Sequence, residues 1–289
     1  MTISTINTES DKGWDIIIRP QRAWWDLRLG ELWRYRDLVR LFVWRDFVAY
    51  YKQTILGPLW YLIQPILTTV VFTIIFGNVA RLPTDGLPPF LFYLAGNTVW
   101  GYFASCVQNT ANTFTGNAAI FGKVYFPRLA IPISVVLSNM ISFAIRLVVF
   151  LAFLGYFLAS GADIEPNWWV LSLPLLIFLM AGIGLGTGII VSSLTTKYRD
   201  LQQLVGFGVQ LMMYATPVIY PLSTVQGIWR WLILANPMTP VIELFRYAFL
   251  GVSSLDPLYL LYSLAFMVVI MLIGVLIFNH IESTFMDTV

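Results

Sequence analysis

The chain has 289 residues, of which 58% are hydrophobic and only 11% charged, against about 25% charged in a typical soluble domain. Aromatic residues reach 16% and mean hydropathy is +0.76, more apolar surface than a soluble globule of this size can hide. That excludes an ordinary cytosolic enzyme, a disordered chain and a nucleic-acid-binding domain, and it leaves a polytopic membrane protein. The net charge of +2 defines no partner, and the single cysteine, Cys106, rules out a disulfide scaffold.

Residues 1–56 read as a cytoplasmic tail and an interfacial helix. The first thirty are polar, with Trp14, Trp24 and Trp25 suited to the headgroup region. No apolar run suggests a cleaved leader, so insertion is expected to use the first hydrophobic span. Residues 31–52 lack Pro and Gly and predict a helix lying on the membrane. Leu32, Tyr35, Val39, Phe42, Val43, Phe47 and Tyr50 share one face, and Arg34, Asp37, Arg45 and Lys52 lie opposite.

Six apolar stretches follow, at 57–79, 90–117, 130–159, 168–193, 201–220 and 257–279. Each is near or above the ~20 residues that cross a bilayer. They predict an all-α, six-span domain over 57–280, followed by a cytoplasmic tail over 281–289. Between spans five and six, Pro221, Gly227, Pro237 and Pro240 break the pattern into helical pieces too short to span, so 222–250 reads as a re-entrant hairpin. Nine basic residues precede the first span, and Lys123, Arg128, Lys197 and Arg199 follow spans two and four. This bias predicts that both termini are cytoplasmic and the hairpin is outside.

No catalytic constellation is visible. The only histidine, His280, reads as an interfacial side chain. Gly122-Lys123 lacks the preceding glycine and following hydroxyl of a phosphate-binding loop, so no ATP site is expected. Gly182, Gly184, Gly186 and Gly188 form two overlapping G-x-x-x-G pairs, a signature of close helix packing.

Polar residues inside spans carry the functional signal, because they are costly against lipid. Asn97, Gly101, Ser105, Gln108, Asn112 and Thr115 share one face of span two, with Tyr93 and Trp100 beside them. Tyr61, Gln64 and Thr68 repeat the theme in span one, and Gln203, Phe207, Gln210 and Tyr214 in span five. These stripes face either a partner helix or a hydrated path. Amides that bond hydroxyls and rings that stack on apolar sugar faces suit a sugar path. Arg146, near the middle of span three, would meet either an anionic group such as a lipid-linked diphosphate or a neighbouring helix. Glu243 and Arg246 are spaced to form an ion pair that lets the hairpin enter the membrane. The basic, aromatic loops 118–129 and 194–200 are either headgroup anchors or docking points for an intracellular partner.

Several segments together resemble the permease subunit of ABC transporters that export polysaccharides, the group that handles O-antigens and teichoic acids. They are Trp44-Arg45-Asp46-Phe47, the run from Tyr51 to Trp60 with Pro65, Lys123 to Arg128, Lys197-Tyr198-Arg199-Asp200, Asn236 to Pro240, and Glu243 to Arg246. The resemblance runs from about Trp33 to the C-terminus. It implies a homodimer in the bacterial inner membrane with a cytoplasmic ABC ATPase under each subunit. ATP and Mg would sit on that ATPase, none on this chain. Helix 31–52 and the cytoplasmic loops would transmit its motion through Arg45, Lys52, Lys123, Arg128, Lys197 and Arg199. The hairpin, with Pro237, Pro240, Glu243 and Arg246, would help close the exit for a lipid-linked glycan. A drug or small-lipid exporter of the same fold is the alternative transporter reading. A membrane glycosyl- or phosphotransferase is the alternative of a different class, and it would need acidic clusters at a membrane face.

Overall fold

The computed structural model describes residues 29–52, 55–121, 126–195, 200–253 and 256–284. The described secondary structure is entirely helical. In chain order the α-helices are α1 (Leu29–Arg34), α2 (Arg36–Lys52), α3 (Trp60–Phe72), α4 (Pro89–Ala111), α5 (Thr113–Phe121) and α6 (Ala130–Ala159). They continue with α7 (Leu173–Thr195), α8 (Leu201–Tyr214), α9 (Ile228–Leu234), α10 (Met238–Leu250) and α11 (Tyr259–Thr284).

Among the described residues, four stretches are long and apolar enough to cross a membrane: Trp60–Val79, Ala130–Ala159, Trp168–Thr195 and Tyr259–Ile281. Two expected spans differ from that description. Helix α4 has the length, but its amides and hydroxyls make it less apolar than α6, α7 and α11. It stops at Ala111 rather than running to 117, and the chain turns at Asn112 before α5. Helix α8 has 14 residues, only about 21 Å of rise, and 215–220 is turn rather than helix. The breaker is local: Pro217 supplies no N–H to the helical ladder.

Helix α7 is the spine, packed along its length against both α4 and α11. Glycines make the approach possible, and they alternate between partners. A Cβ on Gly184 would come 2.7 Å from Cys106 Cβ, and one on Gly188 2.5 Å from Thr110 Cβ, both on α4. The other pair faces α11, where Gly182 meets Met267 and a Cβ on Gly186 would lie 2.9 Å from Ile270 Cγ2. The two interleaved motifs thus serve two different interfaces.

Span one is irregular. Pro65 sits inside α3, and the helix continues as a π-helical segment, Thr73–Val79. Pro65 removes one ladder donor. The hydroxyl of Thr69 donates to the Pro65 carbonyl at 2.7 Å and that of Thr73 to the Thr69 carbonyl at 2.8 Å.

Helix α2 lies against α6. The expected apolar face is the one used. Val39 and Phe42 are buried with Phe114, Phe121, Phe126 and Phe278, while Arg34 points away. Helix α1 is separated from α2 by a break at Tyr35, so the expected single helix over 31–52 is two pieces.

The expected hairpin region folds as α9 and α10 around Asn236-Pro237. The Asn236 side chain accepts from the Met238 N–H at 3.0 Å and donates to Thr216 Oγ1 at 2.7 Å. Helix α10 packs on α4, α7 and α11 and is buried over most of its length. Gly251 ends it at φ +80°, and a side chain there would press on the Glu165 carbonyl, 2.7 Å from its Cβ. Glycine answers both demands.

Candidate functional site

A groove of about 360 Å³ lies over the polar face of α4, between α3 and α8, with α6 closing one side. Asn97, Trp100, Gly101, Ala104, Ser105 and Gln108 form its floor. Gln64, Pro65, Thr68 and Phe72 come from α3, Val209, Gln210 and Met213 from α8, and Arg146 from α6. Four helices therefore bring together Gln64, Asn97, Trp100, Ser105, Gln108, Arg146 and Gln210, all expected on a path from the sequence.

The lining chemistry is amide, hydroxyl and ring, with one cation. Asn97 Nδ2 donates to the Pro65 carbonyl at 3.4 Å, which ties α4 to the break in α3. Ser105 Oγ returns to the Gly101 carbonyl of its own helix at 2.8 Å. Trp100 is only 3% exposed and packs on Phe103 with ring centroids 5.1 Å apart, so little of its ring is open to the groove. The Arg146 guanidinium rests on Gly101, where any Cβ would collide with it.

The other expected path residues lie elsewhere. Tyr93 is fully buried, boxed by Phe72, Phe76 and Phe92. Tyr61 is half-buried and Tyr214 exposed, and neither lines the groove. Asn112 is exposed beyond the end of α4, with its amide returned to the Gln108 carbonyl at 3.1 Å. Thr115 leaves the stripe because the chain turns at Asn112; it accepts from Gln202 Nε2 at 2.6 Å, a link between α5 and α8. Gln202 was not among the expected residues. The neighbouring Gln203 shared a helical face with Gln210 and drew the assignment.

A second polar cluster holds α4 to α6. Asn109 Nδ2 donates to Asn139 Oδ1 at 2.9 Å, and Asn139 Nδ2 lies 3.9 Å from the buried Cys106 sulfur. Asn109 and Asn139 lay outside the polar stripes singled out in the sequence.

The expected outer-gate residues form a closed network. Arg246 is 2% exposed and Glu243 is buried with it, 3.5 Å away. Arg246 donates to the carbonyls of Pro217 at 2.5 Å and Val218 at 2.7 Å, and its guanidinium carbon sits 3.7 Å from the centre of the Phe92 ring. Ser253 donates to Glu243 at 3.1 Å. Pro240 is buried, and the Pro237 carbonyl accepts from Ser263 of α11 at 2.7 Å.

Of the expected coupling residues, Lys123, Lys197 and Arg199 lie outside the described residues. Arg45 pairs with Asp46 at 2.8 Å and sits 4.8 Å from the Phe42 ring centre. Lys52 is exposed at the end of α2. Arg128 is buried, 5.4 Å from the Phe121 ring centre, so it belongs to the aromatic cluster beneath α2.

The sequence matches known membrane transport proteins. The family profile described as ABC-2 type transporter matches residues 37–250. A protein of Klebsiella pneumoniae named O-antigen export system permease protein RfbA is 30% identical over 253 residues, covering 87% of this chain and 94% of the relative. A protein of the same name from Myxococcus xanthus is 33% identical over 221 residues, covering 76% and 82%. The inner membrane transport permease YadH of Escherichia coli strain K12 is more distant, 25% identical over 202 residues, covering 67% and 77%. The chain belongs to the ABC-2 type transporter family.

Proposed function

We propose that this chain is the membrane permease subunit of an ATP-driven exporter that carries a lipid-linked polysaccharide across the bacterial inner membrane. The observation that carries this reading is the groove: four helices converge amides, hydroxyls, a largely covered indole and one cation on a shared cavity. Lipid-facing helices have no use for such a surface, because polar groups there are costly. Amides exchange hydrogen bonds readily with sugar hydroxyls. The relatives whose names specify O-antigen export support the glycan as cargo.

In this reading α3, α4, α6, α7, α8 and α11 are the six spans, both termini are cytoplasmic, and α9 with α10 re-enters from the outside. Two copies form the canal, each with a cytoplasmic ABC ATPase beneath it that binds ATP and Mg. Helix α2 and the loops after α5 and α7 receive the ATPase motion. The aromatic cluster of Phe42, Phe114, Phe121, Phe126 and Phe278 passes it to the spans, because close-packed side chains shift together rather than deform singly. The glycan enters from the cytoplasmic side and is pushed outward along the groove.

The test is co-purification of this chain with the co-expressed ATPase subunit, followed by ATPase measurements in lipid nanodiscs with and without lipid-linked glycan. A stable complex whose turnover responds to the glycan is expected. A chain that binds no ATPase, and whose deletion leaves the surface glycan intact, overturns the reading.

A further inference from the structure

A second cavity, of about 370 Å³, opens between α2 and α6. Val39, Val43, Trp44 and Phe47 form its α2 wall, and Leu137 and Ile141 its α6 wall. The Trp44 and Phe47 rings lie 6.1 Å apart between centroids. The lining is apolar: Arg40 contributes the carbon stem of its side chain and keeps its guanidinium outside. This cavity shares no lining residue with the polar groove. Leu137 and Arg146 stand nine residues apart on α6, about two and a half turns, so the two cavities lie on opposite sides of that helix.

The open side of the cavity continues an apolar surface. On α6, Leu137, Met140, Ala144, Val148 and Leu151 are exposed. Their spacings of three and four make one stripe along a helix apolar enough to cross the membrane. Hydrocarbon chains cover such a stripe in a bilayer, and Leu137, at its α2 end, is also a wall of the cavity. The charge at the mouth suits the head of the same molecule. Arg36 and Arg40 are exposed and one turn apart on α2. Asp37 pairs with Arg40 at 3.1 Å, and Arg36 lies 5.7 Å from the centre of the Trp33 ring. An exposed ion pair of this kind is weak, and like charges one turn apart repel, so an anion shared by the two arginines is favoured.

We infer that the cavity between α2 and α6 binds an acyl chain of an anionic membrane phospholipid whose phosphate meets Arg36 and Arg40. Its volume falls at the lower end of the ~300–1,000 Å³ of small-molecule pockets, and its apolar walls give sugar hydroxyls no partner. The site lies away from the polar groove and needs only that α6 spans the membrane, so it stands apart from the export reading. The bound lipid wedges between α2 and α6 and ties the position of α2 to the lipid composition of the membrane.

The test uses the full chain in detergent micelles and native mass spectrometry. The probes are dioleoyl phosphatidylglycerol, dioleoyl phosphatidylcholine and dihexanoyl phosphatidylglycerol. The long-chain glycerol lipid is expected to bind about five-fold or more tighter than the choline lipid. The short-chain lipid is expected to leave no retained adduct, because each buried methylene adds to the affinity. Ile141→Trp fills the cavity and is expected to weaken both long-chain lipids about ten-fold. If it fails to give a monodisperse protein, Val43→Trp fills the cavity from the other wall. Arg36→Gln combined with Arg40→Gln is expected to remove the preference for the glycerol lipid while the choline lipid binds as before. A wild-type chain that binds both long-chain lipids equally overturns the site, and so does a folded cavity-filling variant that keeps both in full. If a second copy of the chain covers the cavity instead, Ile141→Trp lowers the dimer fraction in the same spectra and leaves lipid retention unchanged, which overturns the lipid as occupant.

Discussion

The Arg246 guanidinium lies 3.5 Å from the Glu243 carboxylate, one turn away on α10, with both side chains sealed from the surface. Each arm of Arg246 also caps a carbonyl of the turn that ends α8. The pair fastens α10 to 217–218 and to α4, where Gly96 leaves room for it: a Cβ there would fall 2.9 Å from the Arg246 Nη2. A buried pair is a weak source of net stability when complete, but breaking it strands a charge.

Arg246→Met is therefore expected to cost about 3–5 kcal/mol and to lower the melting temperature of the detergent-solubilised protein sharply. Arg246→Lys is expected to lose stability too, since an ammonium cannot span both carbonyls and the carboxylate as a planar fork does. Equal melting temperatures for wild type and Arg246→Met would show that the network does not hold α10 in place.

Glycine positions divide into two groups that one measurement separates. Gly188→Ala pushes a methyl into the Thr110 side chain and within 3.1 Å of the Val107 carbonyl, so α7 and α4 must part. Overpacking of this kind costs about 1–3 kcal/mol. Gly155, on α6, meets nothing within 4 Å, and Gly155→Ala is expected to be neutral or to gain up to about 1 kcal/mol from the stiffer helix. Thermal melts of the two variants should move in opposite directions or differ by several degrees.

How much of this was legible in the sequence depends on what each signal encodes. The polar stripe on span two was readable because a helix repeats its face every three to four residues, and from Asn97 to Gln108 those residues line one groove. The stripe's continuation to Asn112 and Thr115 was not, because nothing in the period marks the turn at Asn112. Tyr93 looked like a path residue by adjacency, but Phe72 and Phe76 of span one cover it, and which helix lies over which is a tertiary matter. The glycine motif announced close packing; that its two registers serve α4 and α11 separately needed the structure. Arg246 read as an ion pair, yet its carbonyl acceptors lie 28 and 29 residues away in the chain, beyond any local pattern.

The Asn109–Asn139 bond at 2.9 Å joins α4 to α6 beside the buried Cys106. Interhelical hydrogen bonds of this type average about 0.6 kcal/mol and reach about 1.7. Asn139→Leu and Asn109→Leu are each expected to destabilise by that order, and the double variant by less than their sum. A double-mutant cycle on melting temperature checks the coupling; strict additivity would show that the two amides act independently.

The wall of the groove and the core behind it should respond differently to substitution. Gln108 faces the cavity, so Gln108→Ala removes a donor and an acceptor from the proposed glycan path. Each lost hydrogen bond is worth about 0.5–1.5 kcal/mol, and export in a complementation assay is expected to fall about two- to ten-fold with the amount of protein in the membrane unchanged. Tyr93 lies outside the cavity, and its buried hydroxyl has no hydrogen-bond partner among the described residues. Removing that hydroxyl relieves a desolvated group, so Tyr93→Phe is expected to leave export at the wild-type level and stability unchanged or slightly raised. A Tyr93→Phe variant that loses export while Gln108→Ala keeps it would place the path on the other side of α4.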